Sequence, residues 1–204
     1  MKKIQFALVG IAMLCLPYSL FAQRVIWHDD FETSKGWSEY EDEAGKAIIK
    51  DGHLIIEGEE GYRFFSKCKT NLDGNKNFSI SAEVTIKNGE DKEVGLLFDY
   101  KDTKNYMGFY VKKGFAWFVQ CSNGTIIREE KEPLKGTIGK KRAKRDNNKD
   151  MEFEIQKKGQ NVVFIVNEEE TLEMDEIIVK SNKIAFFVDD EQEAYFDNVK
   201  ITEL

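Results

Sequence analysis

Apolar and polar residues alternate with a period of two along much of this chain after its first 22 residues. The clearest run places five apolar residues at every second position: Phe78, Ile80, Ala82, Val84 and Ile86. Such alternation is typical of a β-strand with one face in the core. No helical stripe interrupts the pattern, and short turns separate the runs. The chain is therefore predicted to be all-β, with antiparallel sheets packed face to face.

Turn residues divide this pattern into strands. Asp51-Gly52 lies between the apolar runs 47–50 and 53–56 and predicts a hairpin, because these residues accept positive φ angles. Three apolar-rich runs within 94–119 predict a meander. The remaining strands are predicted at 62–70, 78–87, 124–128, 151–156, 162–167, 171–174, 183–188 and 194–202. Residues 129–150 contain two glycines and a charge run, which predict a long exposed loop.

The first 22 residues have the pattern of a secretion signal. Lys2 and Lys3 precede an apolar run from Ile4 to Leu16, and Ala22 is a small residue before a cleavage site. The apolar run is too short for a transmembrane anchor. We therefore expect residues 1–22 to be a signal peptide and residues 23–204 to form one domain. The protein is expected to be exported, with no membrane span.

The net charge argues against one class of partner, and the cysteines leave open whether the domain contains a disulfide. The net charge of -7 argues against general nucleic-acid binding, which normally requires a basic surplus. Two cysteines, Cys68 and Cys121, lie outside the predicted signal. Export permits a disulfide between them, but two buried free thiols fit the sequence equally well.

Short motifs along the chain occur in a familiar order. They are Asp29-Asp30-Phe31, Trp37, Gly-Leu-Leu-Phe at 95–98, Asn105-Tyr106, Gly114, Phe-Ile-Val-Asn at 164–167 and Phe-Asp-Asn-Val at 196–199. Together they resemble the concanavalin A-like (laminin-G-like) jelly-roll domains of exported bacterial proteins, over nearly all of residues 23–204. The resemblance implies an antiparallel two-sheet jelly-roll sandwich with a concave face. Relatives include sugar-binding modules, family 16-type glycosidases, the keto-disaccharide hydrolase domain and adhesive modules, so the resemblance does not choose an activity.

Aromatic side chains beside hydrogen-bonding groups mark the candidate ligand site. One parity of the strand at 106–111 is apolar and is assigned to the core: Met107, Phe109 and Val111. The other parity then turns Tyr106 and Tyr110 outward, with Gly108 leaving room between them. We expect a shallow platform for an extracellular carbohydrate on the concave sheet, although outward tyrosines are also ordinary cross-strand packing partners. The predicted ligand-binding residues are Asp99, Tyr106, Tyr110 and Trp117.

Carboxylates near the two ends of the domain suggest a second candidate site, either a capped buried carboxylate or a calcium site. Asp197 shares strand parity with Val199 and Ile201, so it is expected to point inward, where a carboxylate needs a partner. Asp30 is expected beside it, because the termini of sandwiches often lie together. Backbone N–H groups could cap Asp197, or Asp30 and Asp197 could hold a structural calcium. No other cofactor is expected.

The sequence contains no recognisable catalytic motif. The nearest acid pair, Glu152 and Glu154, lies on one strand face about 7 Å apart, but a solvated outer face explains it as well. His28 and His53 are the only histidines, too few for a three-histidine zinc site. The preferred function is a non-catalytic carbohydrate-binding module. A glycoside-processing enzyme and a structural or adhesive module are the alternatives.

Overall fold

The computed structural model describes residues 23–33, 35–61, 63–88, 92–134, 150–189 and 191–204. Within these ranges every regular element is a β-strand, which confirms the all-β prediction. The strands are β1 (Arg24–Asp29), β2 (Tyr40–Asp42), β3 (Gly45–Lys50), β4 (His53–Gly58), β5 (Arg63–Lys69), β6 (Phe78–Ile86), β7 (Val94–Asp102), β8 (Asn105–Lys112), β9 (Phe115–Ser122), β10 (Thr125–Pro133), β11 (Asp150–Lys158), β12 (Asn161–Val166), β13 (Glu169–Met174), β14 (Lys183–Asp189) and β15 (Glu193–Glu203).

The strands form two antiparallel sheets. The nine-stranded sheet has the order β13-β12-β11-β6-β15-β4-β3-β2, and β1 also pairs with β15. The six-stranded sheet has the order β10-β9-β8-β7-β14-β5. The long strand β15 pairs with β6 on one side. On its other side it pairs first with β4, through residues 193–196, and then with β1, through residues 199–203.

The main core lies between the two sheets, and aromatic rings join them across it. Phe109 of the six-stranded sheet stacks on Phe164 of the nine-stranded sheet, with ring centres 4.9 Å apart. Phe186 and Phe196 make the same kind of contact at 4.4 Å. All four side chains are fully buried. Such stacked pairs have preferred geometries and bury a large apolar area. They therefore help to fix how the two sheets pack against each other.

Most of the predicted strands are present, with three differences. The Asp51-Gly52 turn has positive φ at both residues, as its hairpin requires. Neither β1 nor the short strand β2 was predicted. Residues 129–133 belong to β10 rather than to a loop, because they pair with 115–119 of β9. The predicted signal peptide and most of the predicted charged loop lie outside the described residues. No helix long and apolar enough to cross a membrane occurs in the described ranges.

The edge strand β5 is partly covered by a tyrosine from β2. The Tyr40 hydroxyl donates to the backbone carbonyl of Phe65 at 2.7 Å and accepts from its backbone N–H at 3.1 Å. The Tyr40 ring also stacks on Phe64, with centres 5.7 Å apart. One side chain therefore satisfies a donor and an acceptor that an edge strand otherwise leaves open.

Candidate functional site

The outer face of the six-stranded sheet carries a second apolar cluster, which we call the outer aromatic face. Its buried members are Leu97, Tyr100, Tyr106, Tyr110, Val119, Cys121, Ala185 and Phe187, and Phe65 and Trp117 pack against them. As the sequence predicts, strand β8 turns Met107, Phe109 and Val111 into the main core, so Tyr106 and Tyr110 point to this opposite face. Both faces of this sheet are therefore apolar.

Trp117 and Tyr110 form a stacked pair within the outer aromatic face. They are direct cross-strand neighbours, and their rings stack almost parallel, with centres 5.8 Å apart and planes 6° apart. Tyr110 is 6% exposed, whereas Trp117 is only half-buried. The indole Nε1 of Trp117 is buried, and no described residue forms a hydrogen bond with it. The ammonium of Lys131 lies 4.7 Å from the centre of its ring. Trp117 thus combines a partly open ring with an unused donor.

An ionic cluster borders this face beside Tyr106. The buried carboxylate of Glu93 forms an ion pair with Arg63 and a second one with Lys112, at 2.8 Å. Arg63 also donates to the Tyr106 hydroxyl at 3.4 Å, and its guanidinium lies 5.2 Å from the centre of the Phe187 ring. Charged hydrogen-bonding groups are therefore fixed at the edge of an aromatic surface.

Burial makes the tyrosines of this face weak acids. It raises the pKa of Tyr110 well above its ordinary value, and the negative charges of Glu93 and Glu129 act in the same direction. Burial also raises the pKa of Tyr106, although the neighbouring Arg63 opposes the shift. Desolvation disfavours the charged phenolate, so both hydroxyls stay neutral donors at physiological pH.

Asp99 has a different environment from the other three predicted ligand-binding residues. It lies in a β-bulge of β7 with φ at 47°. Its Oδ1 accepts the backbone N–H groups of Lys180 and Ser181, at 2.7 and 2.5 Å. The bulge also shifts the strand parity, so Tyr100 joins the outer aromatic face, whereas Leu96 and Phe98 of the same strand face the main core. The carboxylate therefore anchors the segment before β14.

The space beside Gly108 is filled by protein. A Cβ atom at this position would collide with the side chain of Leu97 and lie 2.9 Å from the backbone oxygen of Leu96. The sequence expectation that Gly108 leaves room for a ligand is therefore wrong, since the room is taken by Leu97. Gly95, opposite Tyr110, has a related role, because a Cβ there would lie 2.6 Å from Tyr110 Cβ.

Sequence reasoning missed most of the border of this face, including Arg63, Glu93 and Lys112. It also missed Phe65 and Phe187. A signal for the two phenylalanines was present, because each follows another phenylalanine in its strand. Adjacent large apolar residues point to opposite faces of a strand, which indicates a sheet that is covered on both sides. No comparable pattern marked the ionic residues.

Asp197 does not point into the core, which corrects the parity argument. A bulge between residues 197 and 200 inserts an extra position, with Asn198 at a φ of 50°. Phe196 and Val199 both face the core, and Asp197 is half-exposed beside it, accepting the N–H of Asn198 at 2.6 Å. Asp30 accepts the N–H of Glu32 at 3.3 Å. In the described part of the chain, no group of three or more His, Cys, Asp or Glu side chains could hold a metal ion.

The inward carboxylate is Asp29 instead. It is fully buried at the end of β1, opposite Val199 of β15. Its two oxygens accept the backbone N–H of Phe31 and the indole Nε1–H of Trp37, each at 3.0 Å. The ammonium of Lys35 lies 3.9 Å away. The expectation of an inward, capped Asp197 is therefore wrong, and the buried carboxylate near the chain ends is Asp29.

Cys68 and Cys121 are free and are buried on opposite sides of the six-stranded sheet. Cys68 belongs to the main core, and Cys121 belongs to the outer aromatic face. Burial, with a smaller contribution from Asp29, raises the pKa of the Cys68 thiol to about 11. Because a sheet separates them, the two sulfurs are not placed for a disulfide.

Comparison with known proteins gives the fold. No protein-family model matches the chain, and no curated protein matches it. A carbohydrate-binding module, CBM66 from Bacillus subtilis, matches with 18% identity and a TM-score of 0.54, over 83% of this chain and 96% of that one. A Bacillus subtilis protein of unknown function with a galectin-like fold matches with 10% identity and a TM-score of 0.66, over 89% and 98%.

A third structure is the catalytic domain of an endo-1,3-beta-glucanase (laminarinase) from Thermotoga petrophila. It matches with 10% identity and a TM-score of 0.56, over 89% of this chain and 98% of that one. Since identities this low carry no functional assignment, the three similarities concern architecture. The chain has the galectin-like, jelly-roll β-sandwich fold.

Proposed function

We propose that this protein is an exported, non-catalytic module that binds a carbohydrate through the outer aromatic face. The observation that carries the proposal is Trp117, whose half-buried ring stacks on Tyr110 and whose buried Nε1–H has no hydrogen-bond partner among the described residues. Sugar rings present apolar C–H faces and hydroxyl groups, so a protein site for them combines an aromatic surface with fixed donors and acceptors. Export is inferred from the signal-like residues 1–22.

The ionic cluster supports the same proposal. Arg63 and Lys112 are each about one-third exposed and are held in place by the buried carboxylate of Glu93. Tyr106 lies between this cluster and the other rings. A hydroxyl-rich ligand on Trp117 and Tyr110 would therefore meet fixed hydrogen-bond donors at its edge. Asp99, which already binds two backbone amides, is a supporting residue in this proposal rather than a ligand contact.

Glycan-array binding of the purified protein tests the proposal, followed by titration of the best glycan against two variants. Trp117→Ala should weaken binding by at least about tenfold, or about 1.4 kcal/mol. Tyr195→Ala is the matched control, because Tyr195 is a half-buried aromatic residue on the outer face of the other sheet. It should leave binding unchanged.

Three results would reject the proposal or replace it. Absence of binding to any glycan rejects a carbohydrate ligand. Glycan binding that survives Trp117→Ala but not Tyr195→Ala moves the site to the nine-stranded sheet. Release of new reducing ends from a bound glycan would favour the alternative of a glycoside-processing enzyme.

A further inference from the structure

A row of four aromatic rings runs across the strands of the outer aromatic face. The rings belong to Phe65 of β5, Phe187 of β14, Tyr110 of β8 and Trp117 of β9, and successive ring centres lie 5.8, 5.9 and 5.8 Å apart. Strand pairing places these residues in one line, because Phe187 is the partner of Phe65 and Trp117 is the partner of Tyr110. The row therefore extends over five of the six strands of this sheet.

Strand β7 contributes a glycine to this row. Gly95 pairs with Phe187 on one side and with Tyr110 on the other. A Cβ atom at this position would lie 2.5 Å from Cε1 of Phe187 and 2.6 Å from Cβ of Tyr110. Because glycine leaves the position open, the Phe187 and Tyr110 rings meet there in an edge-to-face contact. The row thus stays continuous across a strand that contributes no ring to it.

The accessible aromatic surface lies at the two ends of the row. The inner rings are almost closed off, since Phe187 is 1% exposed and Tyr110 is 6% exposed. Phe65 and Trp117 are half-buried, so each keeps part of its side chain accessible. Their strands are four positions apart in the sheet, which corresponds to about 19 Å at the usual strand spacing. A ligand at one end alone therefore contacts only one of the two accessible rings.

A line of charged residues runs beside the row of rings. Arg63, Asp189 and Lys112 each lie two residues from a ring of the row, on β5, β14 and β8, so their side chains share its face. The carboxylate of Glu93 forms ion pairs with Arg63 and Lys112, and Arg63 also lies 3.5 Å from the carboxylate of Asp189. Polar groups are thus fixed along one side of the rings. A sugar chain lying on the row would have its hydroxyl groups beside this line over several strands.

We propose that the ligand of the outer aromatic face is an extended oligosaccharide that lies across the strands and contacts Phe65 and Trp117 together. A sugar ring in a chain is about as long as one strand spacing, so a chain that reaches both rings contains about four or more sugars. This inference rests on the proposed function, which names Trp117 and leaves the length of the carbohydrate open. It adds Phe65 as a second binding residue and assigns a minimum length to the ligand.

Calorimetric titration with sugars of two lengths tests the proposal. The probes are cellobiose and cellohexaose, laminaribiose and laminarihexaose, mannobiose and mannohexaose, and the best glycan of the array with its own terminal disaccharide. In each series that binds, the longer sugar should bind at least about tenfold more tightly than the disaccharide. The longer sugar should also shift two NMR signals of the natural protein, the indole N–H of Trp117 and the ring protons of Phe65.

Two substitutions of Phe65 separate ligand binding from folding. Phe65→Leu keeps a large apolar side chain but removes the ring, so it should lower the affinity for the longer sugar by about fivefold or more. It should leave the affinity for the disaccharide unchanged. Phe65→Tyr is the matched control, because it keeps the ring, and it should bind both sugars like the natural protein. Trp117→Ala should weaken the binding of both lengths.

The outcomes distinguish this inference from the proposed function on which it rests. Absence of binding to every glycan rejects both. Binding that is lost in Trp117→Ala, but is equally tight for the disaccharide and the longer sugar, supports the proposed function and overturns the inference. The inference is also overturned if Phe65→Leu binds the longer sugar as tightly as Phe65→Tyr, or if the bound sugar leaves the Phe65 signal unshifted.

Discussion

Replacing the buried Asp29 tests how much its hydrogen bonds contribute to the stability of the sandwich. Asp29 sits where β1 leaves its pairing with β15, and its two oxygens accept the N–H of Phe31 and the indole N–H of Trp37. Trp37 and Phe31 are themselves buried, at 5% and 1% exposure. In Asp29→Ala the Phe31 N–H and the Trp37 indole N–H would both lose their acceptor. Because both residues are buried, water could not replace it.

The size of the effect follows from these two bonds. A hydrogen bond to a charged group contributes about 1.5–3 kcal/mol, so Asp29→Ala should lower the free energy of unfolding by about 3–6 kcal/mol. For a chain of this size, each kcal/mol shifts the melting temperature by about 2–4 °C. A drop of at least about 6 °C is therefore expected. Asp29→Asn, which keeps one acceptor oxygen but no charge, should fall between the two proteins.

Urea unfolding followed by circular dichroism measures this difference, with two carboxylate variants as controls. Asp30→Ala removes the carboxylate of the adjacent residue. Asp197→Ala removes the carboxylate that the sequence analysis placed in the core. Asp30→Ala loses one local hydrogen bond, and Asp197→Ala loses two to the adjacent Asn198. All are made by partly exposed groups, so each variant should cost about 1 kcal/mol or less. The reasoning fails if Asp29→Ala is as stable as Asp30→Ala, or if Asp197→Ala is the least stable of the three.

Three further predictions follow from the packing of the six-stranded sheet. Gly108→Ala should lower stability by about 1–3 kcal/mol, because its Cβ would overlap Leu97; an unchanged urea midpoint would contradict this. Burial raises the pKa of Tyr100, Tyr106 and Tyr110 above 10.0, so their contribution to stability is complete below pH 10 and is lost above it. The tyrosinate absorbance of these three residues should then appear together with unfolding rather than before it. The raised pKa of Cys68, about 11, predicts very slow alkylation at pH 8, and reductant should leave the melting temperature unchanged.

Parity was a reliable guide wherever a strand had no bulge. Strand β8 is regular, and the assignment of Met107, Phe109 and Val111 to the core is confirmed. Extra residues enter β7 between Phe98 and Asp102 and β15 between Asp197 and Lys200. Asp99 and Asn198 lie in these bulges at positive φ, and Tyr100 and Val199 then lie on the opposite face from the one that simple alternation predicts. Counting by two from Leu96 and Phe98 therefore assigns Tyr100 to the core, the wrong face. In β15, counting back from Val199 and Ile201 misplaced Asp197. Asp and Asn accept positive φ more readily than most residues, which was the available hint.

The candidate sites were less predictable than the fold, because long-range pairing creates them. Tyr106, Tyr110 and Trp117 come from neighbouring strands of one meander, and local pattern brought them together. Arg63 and Glu93 come from separate parts of the chain, and they meet only because β14 pairs with both β5 and β7. Lys157, which is buried in the structure, lies just beyond the strand predicted at 151–156, so the sequence carried no expectation for it. Its burial depends on the packing of β6 and the 73–77 turn, which the sequence pattern does not encode.

The tyrosine that covers strand β5 has a consequence for molecules at high concentration. At Phe65 an approaching strand from a second copy would find the main-chain N–H and C=O groups already occupied by the Tyr40 hydroxyl. At the other edge of the same sheet, β10 presents Glu129, Glu130, Lys131 and Glu132, and Pro133 ends it. Charged residues and proline discourage edge-to-edge pairing between sheets. Crowded or tandem copies should therefore meet through side chains, and resist joining into a continuous intermolecular sheet.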